Sequence, residues 1–342
     1  MAVFKQQDIV KQLTAEIKSG KLVAPGEYFP TIRSLSESFD VSPVTIQRAV
    51  HQLRKSGLLE RKGRRLKIIR SSCGTLRRIG VVVHQLDNPF YSRLLNELEK
   101  EGEKRGMEIF SSGASDAGKI KRMIKMFEEN GVDGICLCCM ANENTVPEKN
   151  TPAVCIGHDN GVLPCIEVDN LRAGEMAAEH LIRQGCRDFF YISNAGLIKD
   201  NRKSGFISCL ENSGFHLPPE HTFSISTEFQ NDELVKWLKN IKFTRPAGVF
   251  CYHDLWSMRI LRAAHFLSLR VPEDIAIIGM DNLPICAETL PPLSSIAYPL
   301  KKLASGALDM LEEIHRNRKI QNRSIIFLEP QLTVRQSSLI LR

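Results

Sequence analysis

At 342 residues, with 43% apolar and 25% charged residues, the chain has material for two or three soluble domains. No apolar run approaches the roughly 18 residues that a membrane span needs, and the opening MAVFKQQDIVKQL lacks the apolar core of an export signal, so a cytoplasmic protein without membrane contact is expected. The net charge of +7 is unevenly shared: residues 1–78 hold 16 Lys or Arg against 6 Asp or Glu, while the remainder holds 30 against 33, and a basic segment joined to a near-neutral one points to a polyanion partner.

In chain order, the spacing from 6 to 69 predicts three helices and a hairpin. Val10, Leu13 and Ile17 mark the inner face of the first helix. Thr31 is placed to cap a second helix with Ile32, Leu35 and Phe39 inward. After a turn at Asp40-Val41, Ser42 caps a third helix with Pro43 in its first turn, where a missing N–H costs nothing. Ile46, Ala49, Val50 and Leu53 form its buried stripe, and Thr45, Gln47, Arg48, His51, Gln52 and Lys55 face outward. LLERKGRRLKII then reads as two short strands around a basic tip at Lys62, Gly63 and Arg64. Two helices joined by a tight turn place the second in the DNA major groove, and a basic hairpin beside it reaches phosphates or the minor groove.

The run GEYFPTIRSLSESFDVSPVTIQRAVHQLRKSGLLERKG resembles the winged helix of the GntR family. The resemblance implies DNA contacts from Arg33 at the second helix, from Ser42, Pro43, Val44, Thr45, Gln47 and Arg48 at the third, and from Lys62, Gly63 and Arg64 at the wing. The family often carries arginine where this chain has Pro43 and Gln47, so base preference shifts with them. Residues 71–78 are polar, small and basic and read as a linker between a domain over 1–70 and a second over 79–342.

Beyond the linker, RIGVVVH, MEIFSSG, GICLCC, AVCIGH, DFFYIS, AGVFCY and IAIIGM are short runs of buried-strand character, alternating with amphipathic stretches. That alternation means an α/β fold with parallel sheets, whose ligands sit beyond the carboxyl ends of the strands. The loops to inspect are therefore HQLDNPFY, YHDLWS and MDNLP. The ten cysteines are scattered without paired metal spacing, and those in GICLCC read as small core residues, so neither a metal nor a cofactor is expected.

The landmarks IGVVV-x-x-x-x-NPFY, GVDGI, V-DN-x-x-AG, R-x-x-GF, HDLWSMRILRAA, VPEDIAIIGMDN and PPLSSIAYP, in that order, resemble the effector domain of the LacI/GalR repressors, itself similar to periplasmic sugar-binding proteins. The resemblance implies two lobes of parallel sheet with a cleft between them. It implies a first lobe over about 79–166 and 298–323 and a second over about 167–297 and 324–338. It also implies a ligand site built from His84, Asn88, Phe90, Tyr91, His158, Arg202, Phe229, His253, Asp281 and Tyr298. His253 stands where asparagine is more usual. A homodimer that binds double-stranded operator DNA and answers to a small molecule follows from the resemblance. The expected function is a repressor controlled by a sugar or sugar derivative; the alternative is a corepressor-dependent regulator that senses a purine or another metabolite. An enzyme or an exported solute-binding protein is the remote alternative. The first strand lacks a G-x-G-x-x-G turn, and no P-loop or G-x-S-x-G elbow occurs, so no catalytic residue is assigned.

Overall fold

The computed structural model describes residues 6–19, 22, 28–55, 58–63, 65–68, 76–149, 151–196, 199–226, 231–317 and 323–340. Two compact units result, one of Met1–Arg77 with Glu312–Lys319 and one of Arg78–Leu311 with Ile320–Arg342. Arg64, Phe229 and the linker residues 71–75 lie outside the described residues.

In the N-terminal unit, α1 (Gln6–Ser19), α2 (Ile32–Phe39) and α3 (Pro43–Lys55) precede a hairpin of β1 (Leu59–Lys62) and β2 (Arg65–Ile68). Apolar side chains at helical spacing converge on one core: Ile9, Leu13 and Ile17 from α1, Leu35 from α2, and Ile46, Ala49, Val50 and Leu53 from α3. Ile9, rather than Val10, is the deeper residue at the start of α1. Burying each large aliphatic side chain contributes about 1.5–3 kcal/mol, enough for so small a core to hold the helices. Thr31 caps α2 by accepting from the Ser34 amide at 3.1 Å, and Ser42 accepts from the Thr45 amide at 3.3 Å at the start of α3. Asp40, at φ 49, turns the chain between these helices in a conformation that Asp and Asn tolerate. The hairpin is antiparallel, with Leu59 opposite Ile68 and Lys62 opposite Arg65, and the Phe29 amide donates to the Leu66 carbonyl at 2.8 Å on its flank.

The larger unit holds two six-stranded sheets. The first runs in the order β13-β7-β6-β5-β3-β4 and is parallel throughout: β3 (Arg78–Val83), β4 (Glu108–Gly113), β5 (Gly134–Cys138), β6 (Ala153–Ile156), β7 (Cys165–Val168) and β13 (Ile325–Leu328). The second runs in the order β14-β12-β11-β10-β8-β9: β8 (Asp188–Asn194), β9 (Thr222–Ile225), β10 (Ala247–Cys251), β11 (Ile275–Met280), β12 (Ser294–Ala297) and β14 (Gln331–Thr333). Only the β12–β14 pair in it is antiparallel. Helices α4 (Pro89–Lys104), α5 (Ala117–Glu129), α6 (Asn170–Arg183), α7 (Asn201–Asn212), α8 (Asn231–Asn240), α9 (Asp254–Phe266) and α10 (Leu300–Asn317) connect the strands. The chain crosses between the sheets three times: from β7 into α6 and β8, from β12 through α10 to β13, and from β13 to β14.

Four expectations need correction. Residues 325–328 belong to the first sheet, where Ile325 to Leu328 pair with Cys165 to Val168, so the segment 324–338 is divided between the lobes instead of lying in the second. For the same reason the first lobe extends past 166, since β7 runs to Val168. The linker is shorter than 71–78: Leu76 is buried and Arg78 opens β3. The run MEIFSSG does form a strand, but an edge strand that is largely exposed, because β4 has a neighbour on one side only.

Candidate ligand cleft and nucleic-acid interface

In the N-terminal unit the buried stripe of α3 leaves Ser42, Pro43, Val44, Gln47 and Arg48 exposed and Thr45 half-exposed. Arg33 projects from α2 with 92% of its side chain exposed and pairs with Glu37 at 3.3 Å. Lys62 and Gly63, the latter at φ 65, stand exposed at the hairpin tip. Of these, Arg33, Arg48 and Lys62 carry positive charge and Ser42, Thr45 and Gln47 carry polar groups, the chemistry that suits a polyanion surface.

In the larger unit the carboxyl ends of β3, β10 and β11 and the crossing after β12 bring a polar cluster together. Arg202, on the first turn of α7, is 7% exposed. It donates from Nε to Asn170 Oδ1 at 2.9 Å, from Nη1 to the Tyr252 carbonyl and from Nη2 to the Tyr298 hydroxyl. Its guanidinium lies over the Tyr252 ring at 4.1 Å. Phe90 packs against Tyr298 at 4.7 Å and against Tyr91 at 5.3 Å between centroids. Burial pushes the Tyr91 and Tyr298 hydroxyls well above their ordinary range, so both remain neutral donors.

Asp281 follows β11 at φ 111 and is buried. Desolvation pushes its carboxyl up, the neighbouring Asp254 adds to the rise, and Arg202 and Arg93 oppose it. Asp254 is fully buried and accepts from Ser295 Oγ at 2.6 Å and from the Leu283 amide at 2.8 Å, which fixes the turn after β11. Burial raises its carboxyl to about 6.

His253 caps α9, its Nδ1 accepting from the Trp256 amide at 3.3 Å, and stacks on Trp256 at 4.5 Å. Desolvation, helped by the charge of Arg202, lowers its pKa to about 3. The cap needs an unprotonated Nδ1, so the two observations agree. Asn88 likewise caps α4, accepting from the Phe90 amide at 2.9 Å. His84 ends β3 with its Nδ1 buried and without a hydrogen-bond partner, and burial lowers its pKa.

Of the expected ligand residues, Phe90, Tyr91, Arg202, His253, Asp281 and Tyr298 thus come together, with His84 beside Tyr91 at 6.4 Å between rings. Asn88 stands at the edge as a cap. His158 follows the turn at Gly157, and among the described residues its charged neighbour is Asp159, not the Arg202 cluster. Arg93, Asn170, Tyr252 and Asp254 belong to the cluster and were missed. Asn170, Tyr252 and Asp254 lie in the V-DN-x-x-AG, YHDLWS and HDLWSMRILRAA segments, and a polar residue at a helix start is the sequence signal for Asn170 and Asp254.

Hydrogen bonds from Arg93 and Arg202 link the two lobes beyond the carboxyl ends of their parallel strands, where α/β sheets bind ligands. Residues 5–65 match the gntR family of bacterial regulatory proteins, and residues 178–338 match the periplasmic binding protein-like domain. The arabinose metabolism transcriptional repressor of Geobacillus stearothermophilus is 23% identical over 98% of this chain and 97% of its own length. This chain joins a gntR-type winged helix to a periplasmic binding protein-like domain. It is a DNA-binding transcriptional regulator, and the HTH-type transcriptional repressor PurR of Aliivibrio fischeri (strain MJ11) is 29% identical over 78% of this chain and 82% of that protein. The regulator also shares its fold with a periplasmic binding protein/LacI transcriptional regulator from Alkaliphilus metalliredigens QYMF solved with D-xylulofuranose, at a TM-score of 0.66 and 22% identity over 77% of this chain and all of that one.

Proposed function

We propose that this regulator is a repressor whose grip on operator DNA is set by a sugar or sugar derivative bound in the cleft around Arg202 and Asp281. The observation that carries the reading is the gathering of the Arg202 guanidinium, the buried Asp281 carboxyl and the rings of Phe90, Tyr252 and Tyr298 where the chain crosses between lobes. Paired donors and acceptors suit vicinal hydroxyls, and the ring faces of Phe90, Tyr252 and Tyr298 suit the apolar face of a sugar. A ligand that fits one lobe arrangement better than another shifts the population between them, and the winged helices move with it. The protein acts as a homodimer on a two-fold site in the cytoplasm, and in this reading it binds and releases without catalysing a reaction. Among the described residues no helix is long and apolar enough to cross a membrane.

A second reading, a corepressor with a flat heterocycle such as a purine, is favoured by the same three rings, which can stack on a planar base. A thermal-shift panel of pentoses, hexoses, disaccharides and purine bases separates the two. A ligand at a hundred times its Kd stabilises the fold by about 2.7 kcal/mol, a rise of several degrees. Arg202→Ala abolishes that rise while operator binding persists, and Arg33→Ala does the reverse. If both variants, still folded, lose both activities, the division between a DNA face and a ligand cleft is wrong.

A further inference from the structure

Arg93 projects from α4, which follows β3 of the first lobe. Its Nη1 donates to the carbonyl oxygens of Asp281 at 3.0 Å and Asn282 at 2.9 Å, both in the turn after β11 of the second lobe. The two carbonyls come from consecutive residues with positive φ, 111 and 46, a backbone that side chains other than glycine rarely adopt. The rest of that turn is tied within its own lobe. The Asn282 amide donates to Ser295 Oγ at 2.9 Å, the Leu283 amide to Asp254 Oδ2 at 2.8 Å, and Arg335 Nη2 to Asn282 Oδ1 at 2.8 Å. The two carbonyls are left facing the first lobe, where Arg93 takes both. The same turn holds the Asp281 carboxyl within the influence of both Arg93 and Arg202.

We propose that Arg93 is the positioning residue that couples the lobes: its two hydrogen bonds to the Asp281 and Asn282 carbonyls hold the lobes in this arrangement and fix where the Asp281 carboxyl stands. The inference deepens the reading of the cleft as a ligand site, yet its test needs neither ligand nor DNA. An arginine on a helix surface is ordinarily a solvated charge. Here a charged donor reaches main-chain acceptors 188 and 189 residues away, and such charge-assisted bonds are the strong ones.

Hydrogen exchange of the full-length protein, followed by mass spectrometry, tests it. Arg93→Ala accelerates exchange at least tenfold in a peptide covering 279–287. Arg93→Lys, which keeps a charged donor, recovers part of the protection. Lys100→Ala, on the same helix and 56% exposed beside Glu97, leaves the rates unchanged. Wild-type rates at 279–287 in Arg93→Ala overturn the proposal. So does acceleration spread equally along 94–104, the mark of a helix that has lost its packing. Should Arg93→Ala fail to fold, Arg93→Gln carries the same comparison. A faster peptide 279–287 in a protein that answers no sugar or purine would sink the ligand reading and leave the coupling in place.

Discussion

At the scale of single residues the cleft sets unlike demands on neighbouring groups. Arg202 satisfies three acceptors at once, so Arg202→Ala strands the Tyr298 hydroxyl, the Tyr252 carbonyl and the Asn170 amide oxygen. We expect a loss of about 2–4 kcal/mol in urea denaturation, beyond any loss of ligand binding. His253 is the acid-sensitive member. Its folded pKa, about 3, lies below the ordinary value of 6.5, so its contribution to stability is complete above pH 6.5 and is lost as pH falls toward 3. Asp254 acts in the opposite sense: raised to about 6 from 3.8, it binds its proton more tightly in the fold and so favours the native state as pH falls through that window. Asparagine at 253 keeps a capping acceptor and cannot titrate. The His253→Asn variant should therefore lose about 2 kcal/mol less than the wild type between pH 7 and pH 5, measured by denaturation at each pH. Equal losses would show that His253 is not held neutral.

At the scale of elements, two helices place the arginine. Gly174 on α6 and Gly205 on α7 lie where these helices cross, and a Cβ at Gly174 would stand 2.0 Å from the Arg202 carbonyl oxygen and 2.5 Å from the Phe206 nitrogen. A Cβ at Gly205 would stand 2.0 Å from the Leu171 carbonyl oxygen. Those atoms are backbone and cannot swing aside, so Gly174→Ala should part the helices, cost about 1–3 kcal/mol and displace both Arg202 and Asn170. An unchanged urea midpoint would contradict this. The same scale shows what the sequence could reveal. The central strands were legible because Ile79–Val83, Gly134–Cys138 and Ile275–Met280 are buried on both faces and read as continuous apolar runs. The edges were harder. β13 and β14 are separated by two residues and join different sheets, and no local pattern announces which sheet a short strand will enter. The site was legible where residues end a strand or open a helix, as with His84, His253 and Asp281. Arg93 was not, since its role depends on a turn of the other lobe and its own helix gives no sign of it.

At the scale of the whole molecule, charge and chemistry are divided along the chain. The basic head presents exposed Arg33, Arg48 and Lys62, while in the larger unit Arg202 is buried on neutral acceptors, His253 is held neutral and the Asp281 carboxyl is pushed toward its protonated form. Ion release on DNA binding makes log K fall linearly with log salt, and Arg33→Ala should reduce that slope by about one while weakening binding to every duplex tested. The fold is legible in the sequence because it is repeated: both sheets are built by the same alternation of strand and helix.

The most direct test selects duplexes from a random pool with the full-length protein, then measures affinity for the winner with and without whichever panel compound raises the melting temperature most. The account predicts a selected sequence with two-fold symmetry, bound in a salt-dependent manner, whose affinity changes at least tenfold when the compound is added. No preferred sequence, or an affinity indifferent to the compound, would contradict it.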